Sequence, residues 1–193
     1  MAKNMILRII FISTVIIFTT AVWPVFFIKN FKKIWLRFFF FFIFILYFVI
    51  DRLTKYIVIN NMSLHDTIPV LNDVFHITYI RNYGAAFGFL QHKLALFVIV
   101  AFLSVFMIFF YAFSKQAERI WTQVALGALL GGALGNLYDR IFFGYVIDFL
   151  DFRLINFPIF NFADVVIDIG IIMLFYEIIF MEEKRGNDVS CIV

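Results

Sequence analysis

The chain has 193 residues, enough for one domain, of which 64% are hydrophobic and 15% charged, with a net charge of +3. A mean hydropathy of +0.99 excludes an ordinary soluble globule and marks an integral membrane protein. The basic residues end apolar runs instead of forming a patch, which argues against nucleic-acid binding, and the single cysteine, Cys191, excludes an internal disulfide or a thiolate metal cluster.

Residues Met5 to Phe27 are apolar apart from Arg8 and four hydroxyl side chains, with Pro24 near the end and Lys29, Lys32, Lys33 and Arg37 following. A bilayer needs roughly 20 apolar residues, so an extra helix fits here. An uncleaved signal-like segment, or an upstream start, fits as well. Residues 1–34 are therefore set apart as an N-terminal apolar extension, residues 35–182 as the core and 183–193 as a tail. The first core helix is expected from Phe38 to Ile59, with Asp51 and Lys55 four residues apart on one face near its end. That pair reads either as a snorkelling ion pair or as support for a site.

Asn60 to His92 is a polar excursion in which Thr67–Val70 and Val74–Arg81 flank Leu71-Asn72-Asp73, the pattern of a short hairpin. His65, His76 and His92 lack metal-ligand spacing and read as solvated loop residues. Small residues within Asn82–Gly88 suit a close backbone approach. Leu94–Phe113 is the plainest membrane helix, and a basic turn, Lys115 to Arg119, leads into another over Ile120–Asp139. The latter carries two columns at four-residue spacing, Gly127-Gly131-Gly135 and Ala128-Gly132-Asn136-Arg140. Small columns let helices pack closely in lipid. Val146, Asp148, Leu150 and Phe152 alternate with Tyr145, Ile147 and Phe149 as in an interfacial strand. Pro158 then precedes a last helix, Asn161 to about Met181, with Asn161, Asp164 and Asp168 on one stripe. Basic residues fall at one end of each crossing, which the positive-inside rule makes cytoplasmic, and the acids converge on the outer face.

Between Gly131 and Asp168 the chain holds five carboxylates, Asp139, Asp148, Asp151, Asp164 and Asp168. Ionisable groups near lipid are costly and are functional candidates by default. Two carboxylates about 3 Å apart share a proton. The ionised member can then activate water while the protonated one polarises a carbonyl, hydrolysing an amide with neither metal nor covalent intermediate. Asp148 with Asp164 is favoured by position. Asp168 lies a turn deeper, Asp139 adjoins Arg140 as a structural partner, and Asp151 has the opposite strand phase. Spacing alone leaves other pairs open. A proton-coupled transporter and a structural subunit are the competing readings.

The blocks GGALGNLYDR, GYVIDFLDF and FNFADVVID resemble the signature segments of the lipoprotein signal peptidases (signal peptidase II). Asp51-Arg52-Leu53-Thr54-Lys55 and Asn82-Tyr83-Gly84-Ala85-Ala86-Phe87 resemble two further motifs of that family. The resemblance implies an all-α integral membrane protein with a four-transmembrane-helix core and a small extracytoplasmic β-cradle, residues 1–34 being a possible extra helix without counterpart. It implies a catalytic dyad of Asp148 and Asp164. Asn136, Arg140, Asn161 and Asn82 would position substrate or support the acids, Gly84 would lie in a turn beside the site, and Asp51 and Lys55 would brace it. The implied reaction removes the signal peptide from diacylglyceryl-modified prolipoproteins at the outer face of the bacterial inner membrane. Prolipoproteins and membrane lipids are the implied partners, a monomer is expected, and no metal, cofactor or nucleic acid is called for.

Overall fold

A computed structural model describes residues 23–84, 93–155 and 157–181. The chain divides into two compact units, Met1–Phe38 and Phe39–Val193.

The described part of the first unit is the beginning of helix α1, Trp23–Asn61. Pro24 falls in its first described turn, where a missing N–H is tolerated. The core helix expected from Phe38 is therefore continuous with the basic stretch before it. Lysine and arginine are good helix formers, so the charges do not stop the helix. Ring contacts of 5.9 Å between Phe31 and Trp35, and 5.6 Å between Trp35 and Phe38, run along it at helical spacing. Most of the extra helix expected over Met5–Phe27 lies outside the described residues.

The second unit continues α1 and adds β1 (Thr67–Leu71), β2 (Phe75–Asn82), α2 (Leu94–Ala112), α3 (Ile120–Phe142), β3 (Val146–Phe152) and α4 (Phe162–Tyr176), which runs on as a π-helical turn over Glu177–Met181. Among the described residues three segments are long and apolar enough to cross a membrane: Phe31–Asn61, Leu94–Ala112 and Ile120–Phe142.

Helix α3 lies at the centre, and its two small-residue columns serve two different neighbours. A Cβ on Gly127 or Gly131 would lie 2.8 and 2.9 Å from the backbone oxygens of Phe40 and Phe44 in α1, and one on Gly135 would lie 2.5 Å from the Asp51 carboxylate. The other column faces α4, where a Cβ on Gly132 would lie 2.5 Å from the Ala163 oxygen. Phe40, Leu126, Leu129 and Leu130 form the apolar core between these helices with Ala112 and Ala117. Since Ala163 precedes Asp164, Gly132→Ala pushes on the first turn of α4. Overpacking of this kind costs about 1–3 kcal/mol, so the thermal midpoint in detergent should fall by about 2–10 °C. An unchanged midpoint would contradict this packing.

The strands form one antiparallel sheet of order β1-β2-β3. The hairpin appears where the sequence places it, with Leu71 still in the strand and Asp73 at φ 60° in the turn, a left-handed position that aspartate tolerates. Between β2 and β3 the register shifts between Ile77 and Ile80, which sets Ile80 opposite Asp148 and Asn82 opposite Val146. Tyr79, Ile147 and Phe149 pack with Val58 and Met62, seating the sheet on the end of α1.

The other face of the sheet is polar, and His76 belongs to it. His76 is buried in β2, with Nδ1 3.4 Å from the Thr67 hydroxyl, and is not the solvated loop residue expected. Strand pairing with Pro69 and Asp151 encloses it, a consequence no local pattern displays. Thr78 donates to Asp151 at 2.6 Å and Arg153 to the same oxygen at 2.9 Å, so Asp151 staples the sheet. His65 occupies a turn at φ 72°, and His92 lies outside the described residues.

Candidate active site

The site starts from the cap of α4. Asn161 is the N-cap residue: its side chain accepts from the Asp164 N–H at 3.2 Å, and the Asp164 carboxylate accepts from the Asn161 N–H at 3.1 Å. This reciprocal capping box, with aspartate in the place usually held by Glu or Gln, fixes the Asp164 side chain through its own backbone. The Asn161 amide nitrogen remains free to donate outward. It reaches Asp148 Oδ1 at 2.6 Å and Asn136 Oδ1 at 3.1 Å.

Asn136, near the end of α3, takes the next step. Its Oδ1 accepts from Asn161 and, at 3.0 Å, from Lys55 Nζ, which turns its amide nitrogen toward Asp164 Oδ1 at 2.8 Å. On β3, Asp148 Oδ2 accepts from Asn82 of β2 at 2.9 Å, while Asn82 Oδ1 holds the Gly84 N–H at 2.9 Å. All four oxygens of Asp148 and Asp164 thus accept hydrogen bonds, every donor belonging to Asn82, Asn136 or Asn161. Both acids line one cavity of about 460 Å³, together with Asn82, Gly84, Asn136 and Arg140.

Beneath this layer lies a buried ion network. Lys55, 1% exposed, sits 3.1 Å from Asp51 and 2.7 Å from Asp139, both 0% exposed. Arg52 bonds Asp139 at 2.7 Å, Asp51 at 2.5 Å and the Gly135 carbonyl at 3.0 Å. Two cations face two carboxylates, so the cluster is neutral, the condition under which buried charge is tolerable. Asp139 also accepts from the Ile147 N–H at 3.2 Å, tying α3 to β3.

The expected partnership of Asp139 with Arg140 is replaced by one with Arg52 and Lys55, because successive residues of a helix point to different sides. Arg140 turns toward the cavity, donating to the Asn136 carbonyl at 3.2 Å with its guanidinium 5.3 Å from the Phe97 ring centre. Sequence reasoning left Arg52 out of the site. The signal available was its place between Asp51 and Lys55; its reach to Asp139 depends on the close approach of α1 to α3 at Gly135.

Asp148 is pushed up to about 6, first by burial and next by the charge of Asp164, with the bonds from Asn82 and Asn161 and the charge of Lys55 acting the other way. Its folded value lies above the ordinary 3.8, so folding favours the protonated form. The stability this confers is fully present below 3.8 and is lost as pH rises through about 6. A shift of about two units corresponds to about 3 kcal/mol. Melting curves in detergent should therefore show this loss between pH 4 and 7 in the wild type, and Asp148→Asn should remove that part of the slope. Identical pH slopes for the two proteins would refute it.

A family model described as Signal peptidase (SPase) II matches residues 43–180. The chain belongs to the signal peptidase II family. Among its relatives, the lipoprotein signal peptidase of Fusobacterium nucleatum is 40% identical over 146 residues, covering 75% of this chain and 88% of that protein. That of Microcystis aeruginosa is 47% identical over 128 residues, covering 65% and 82%. Two solved structures, each described as a bacterial membrane enzyme determined by the in meso method, superpose with TM-scores of 0.69 and 0.67 at 32% and 33% identity. They cover 76% and 73% of this chain and 90% and 92% of their own. Signal peptidase II membership and the three crossing-length helices among the described residues make this a multi-pass membrane protein. The signal peptidase II match contains all the residues just described, from Asp51 to Asp164.

Proposed function

We propose that the chain is an aspartic endopeptidase of the bacterial inner membrane that removes the signal peptide from diacylglyceryl-modified prolipoproteins. One observation carries the reading: Asp148 and Asp164 line a single cavity, and each carboxylate is held by asparagine donors that leave the pair facing that space. The names of the relatives supply the substrate class.

In this mechanism the pair holds one proton. The ionised member takes a proton from water as the water oxygen attacks the scissile carbonyl carbon, and the protonated member donates to the carbonyl oxygen. Collapse of the tetrahedral intermediate breaks the C–N bond as nitrogen is protonated. The elevated value of Asp148 suits this role, since a group poised near the working pH both holds and releases a proton. Asn136, Asn161 and Asn82 hold the acids in place, Arg140 and Gly84 line the substrate's space, and Asp51, Lys55 and Asp139 brace α1 against α3. No step calls for a metal or cofactor.

Helix α4 (15 residues) and the π-helical turn after it (five) rise about 30 Å together, enough for a fourth crossing. Four crossings put both ends of the core on one side, the cytoplasmic side by the basic residues Lys115 and Arg119. The sheet and the acids then lie at the outer surface, where water and a lipid-anchored substrate meet. Residues 35–182 form the peptidase core, with residues 1–34 added before it and 183–193 a cytoplasmic tail, and the protein acts as a monomer.

The test is a gel-shift assay with purified protein on a diacylated precursor, with mass spectrometry of the product. Release of a mature chain beginning at the lipidated cysteine is expected, with the unlipidated precursor left uncut. No cleavage, or equal cleavage of both precursors, would contradict the proposal.

A further inference from the structure

Four of the five acids between Gly131 and Asp168 have partners. Asp139 and Asp151 pair with Arg52, Lys55 and Arg153, while Asp148 and Asp164 are held by asparagines. Asp168 is the fifth. It lies one turn beyond Asp164 in α4, about 6 Å along the axis, and lines the same cavity. It is exposed, and among the described residues it meets no hydrogen-bond donor and no cation. Apart from Asp164 and Asp168, α4 carries no charged residue.

A carboxylate on an otherwise apolar helix at a membrane is costly and marks a site whose counter-ion is to be named. The other cavity-lining charges are Arg140, Asp148 and Asp164. Among the described residues no group of three or more acidic, histidine or cysteine side chains is placed to hold a metal ion. A monovalent organic cation does fit, and turnover itself delivers one. Hydrolysis of a peptide bond adds the water oxygen to carbon and both water hydrogens to nitrogen, leaving a carboxylate and a primary ammonium. An α-amine has an ordinary value near 8, so at neutral pH the product nitrogen carries a charge. The new carboxylate has Arg140 within the same cavity, and the ammonium has Asp168.

Building on the peptidase reading, we infer that Asp168 is a subsite for the primary ammonium of the released lipid-bearing cysteine, setting how tightly the enzyme holds that product. The cysteine nitrogen is freed beside Asp148 and Asp164, and its diacylglyceryl chains anchor it at the bilayer. A carboxylate one turn deeper on the same helix face lies where that anchored ammonium settles. A charge-assisted bond of this type contributes about tenfold in affinity.

The experiment measures binding of two synthetic S-diacylglyceryl-cysteinyl peptides, one with a free N-terminal amine and one N-acetylated, to the detergent-solubilised full chain by fluorescence titration. Wild type should bind the free amine about tenfold more tightly than the acetylated peptide, Asp168→Asn should abolish the preference, and Asp168→Glu should keep part of it. Equal preference in wild type and Asp168→Asn would overturn the assignment. So would loss of the preference when phosphatidylethanolamine is added to the micelles, which would assign the subsite to a lipid headgroup. Binding is read without turnover, so this result stands apart from the cleavage assay that judges the peptidase reading.

Discussion

Asp148→Asn and Asp164→Asn should each lower cleavage of a diacylated precursor by about 10³-fold or more while the protein still inserts, purifies and elutes as the wild type does. Proton transfer by a placed side chain contributes about 10²–10⁴-fold, and an amide at either position can neither take a proton from water nor give one to the carbonyl oxygen. Asparagine keeps the shape, so the surrounding bonds report on the difference between the two sites. At Asp148 both oxygens accept from amide nitrogens, those of Asn82 and Asn161, so an amide there sets N–H against N–H at one of them. At Asp164 the donors are the Asn136 amide and the Asn161 backbone, and the second of these is also half of the helix cap. Asp164→Asn should therefore cost additional stability through the cap, about 1 kcal/mol. Groups that act as a unit are non-additive, so the double variant should be hardly slower than the worse single one. Either single variant working within tenfold of wild type would refute the proposed pair.

The second large effect concerns stability. Lys55→Met preserves length and apolar stem but removes one of the two cations that balance Asp51 and Asp139, both fully buried. Arg52 alone then faces two carboxylates inside the helix packing. Removing one partner of a buried ion pair costs about 3–5 kcal/mol, which in a chain of this size lowers the thermal midpoint by about 6–20 °C. Pairing Lys55→Met with Asp51→Asn or Asp139→Asn should recover part of the loss, because the surplus charge goes with it. Activity should fall further than stability explains, since Lys55 also holds the Asn136 oxygen that turns the amide toward Asp164. A midpoint close to wild type would show that water reaches the cluster and solvates the orphaned charge.

Much of the site's local chemistry is legible in the sequence. The glycine columns announce close packing and the alternation across Val146–Phe152 announces a strand, whereas Asn161 and Asp164 read only as members of one helical stripe and their capping box is seen in the fold. The motif blocks pointed to the family that the comparison of the chain then showed. Two of the misreadings share one cause. His76 reads as solvated and Asp139 as a partner of Arg140 from neighbours along the chain alone, since neighbours across it leave no local pattern. The first core helix reads as starting at Phe38 because the unbroken apolar run begins there, although the basic side chains before it sustain a helix.

The sequence by itself determined the class of protein, the places of most of its helices and strands and its family, because these rest on composition, on periodicities of 3.6 and 2, and on ordered motifs. Only the tertiary structure decided which acids share a cavity, which glycine column faces α1 and which α4, and that Arg52 belongs to the network under the site. Those pairings join residues as many as 87 positions apart, and they depend on how closely two backbones approach where a glycine leaves room. No one-dimensional pattern carries that distance.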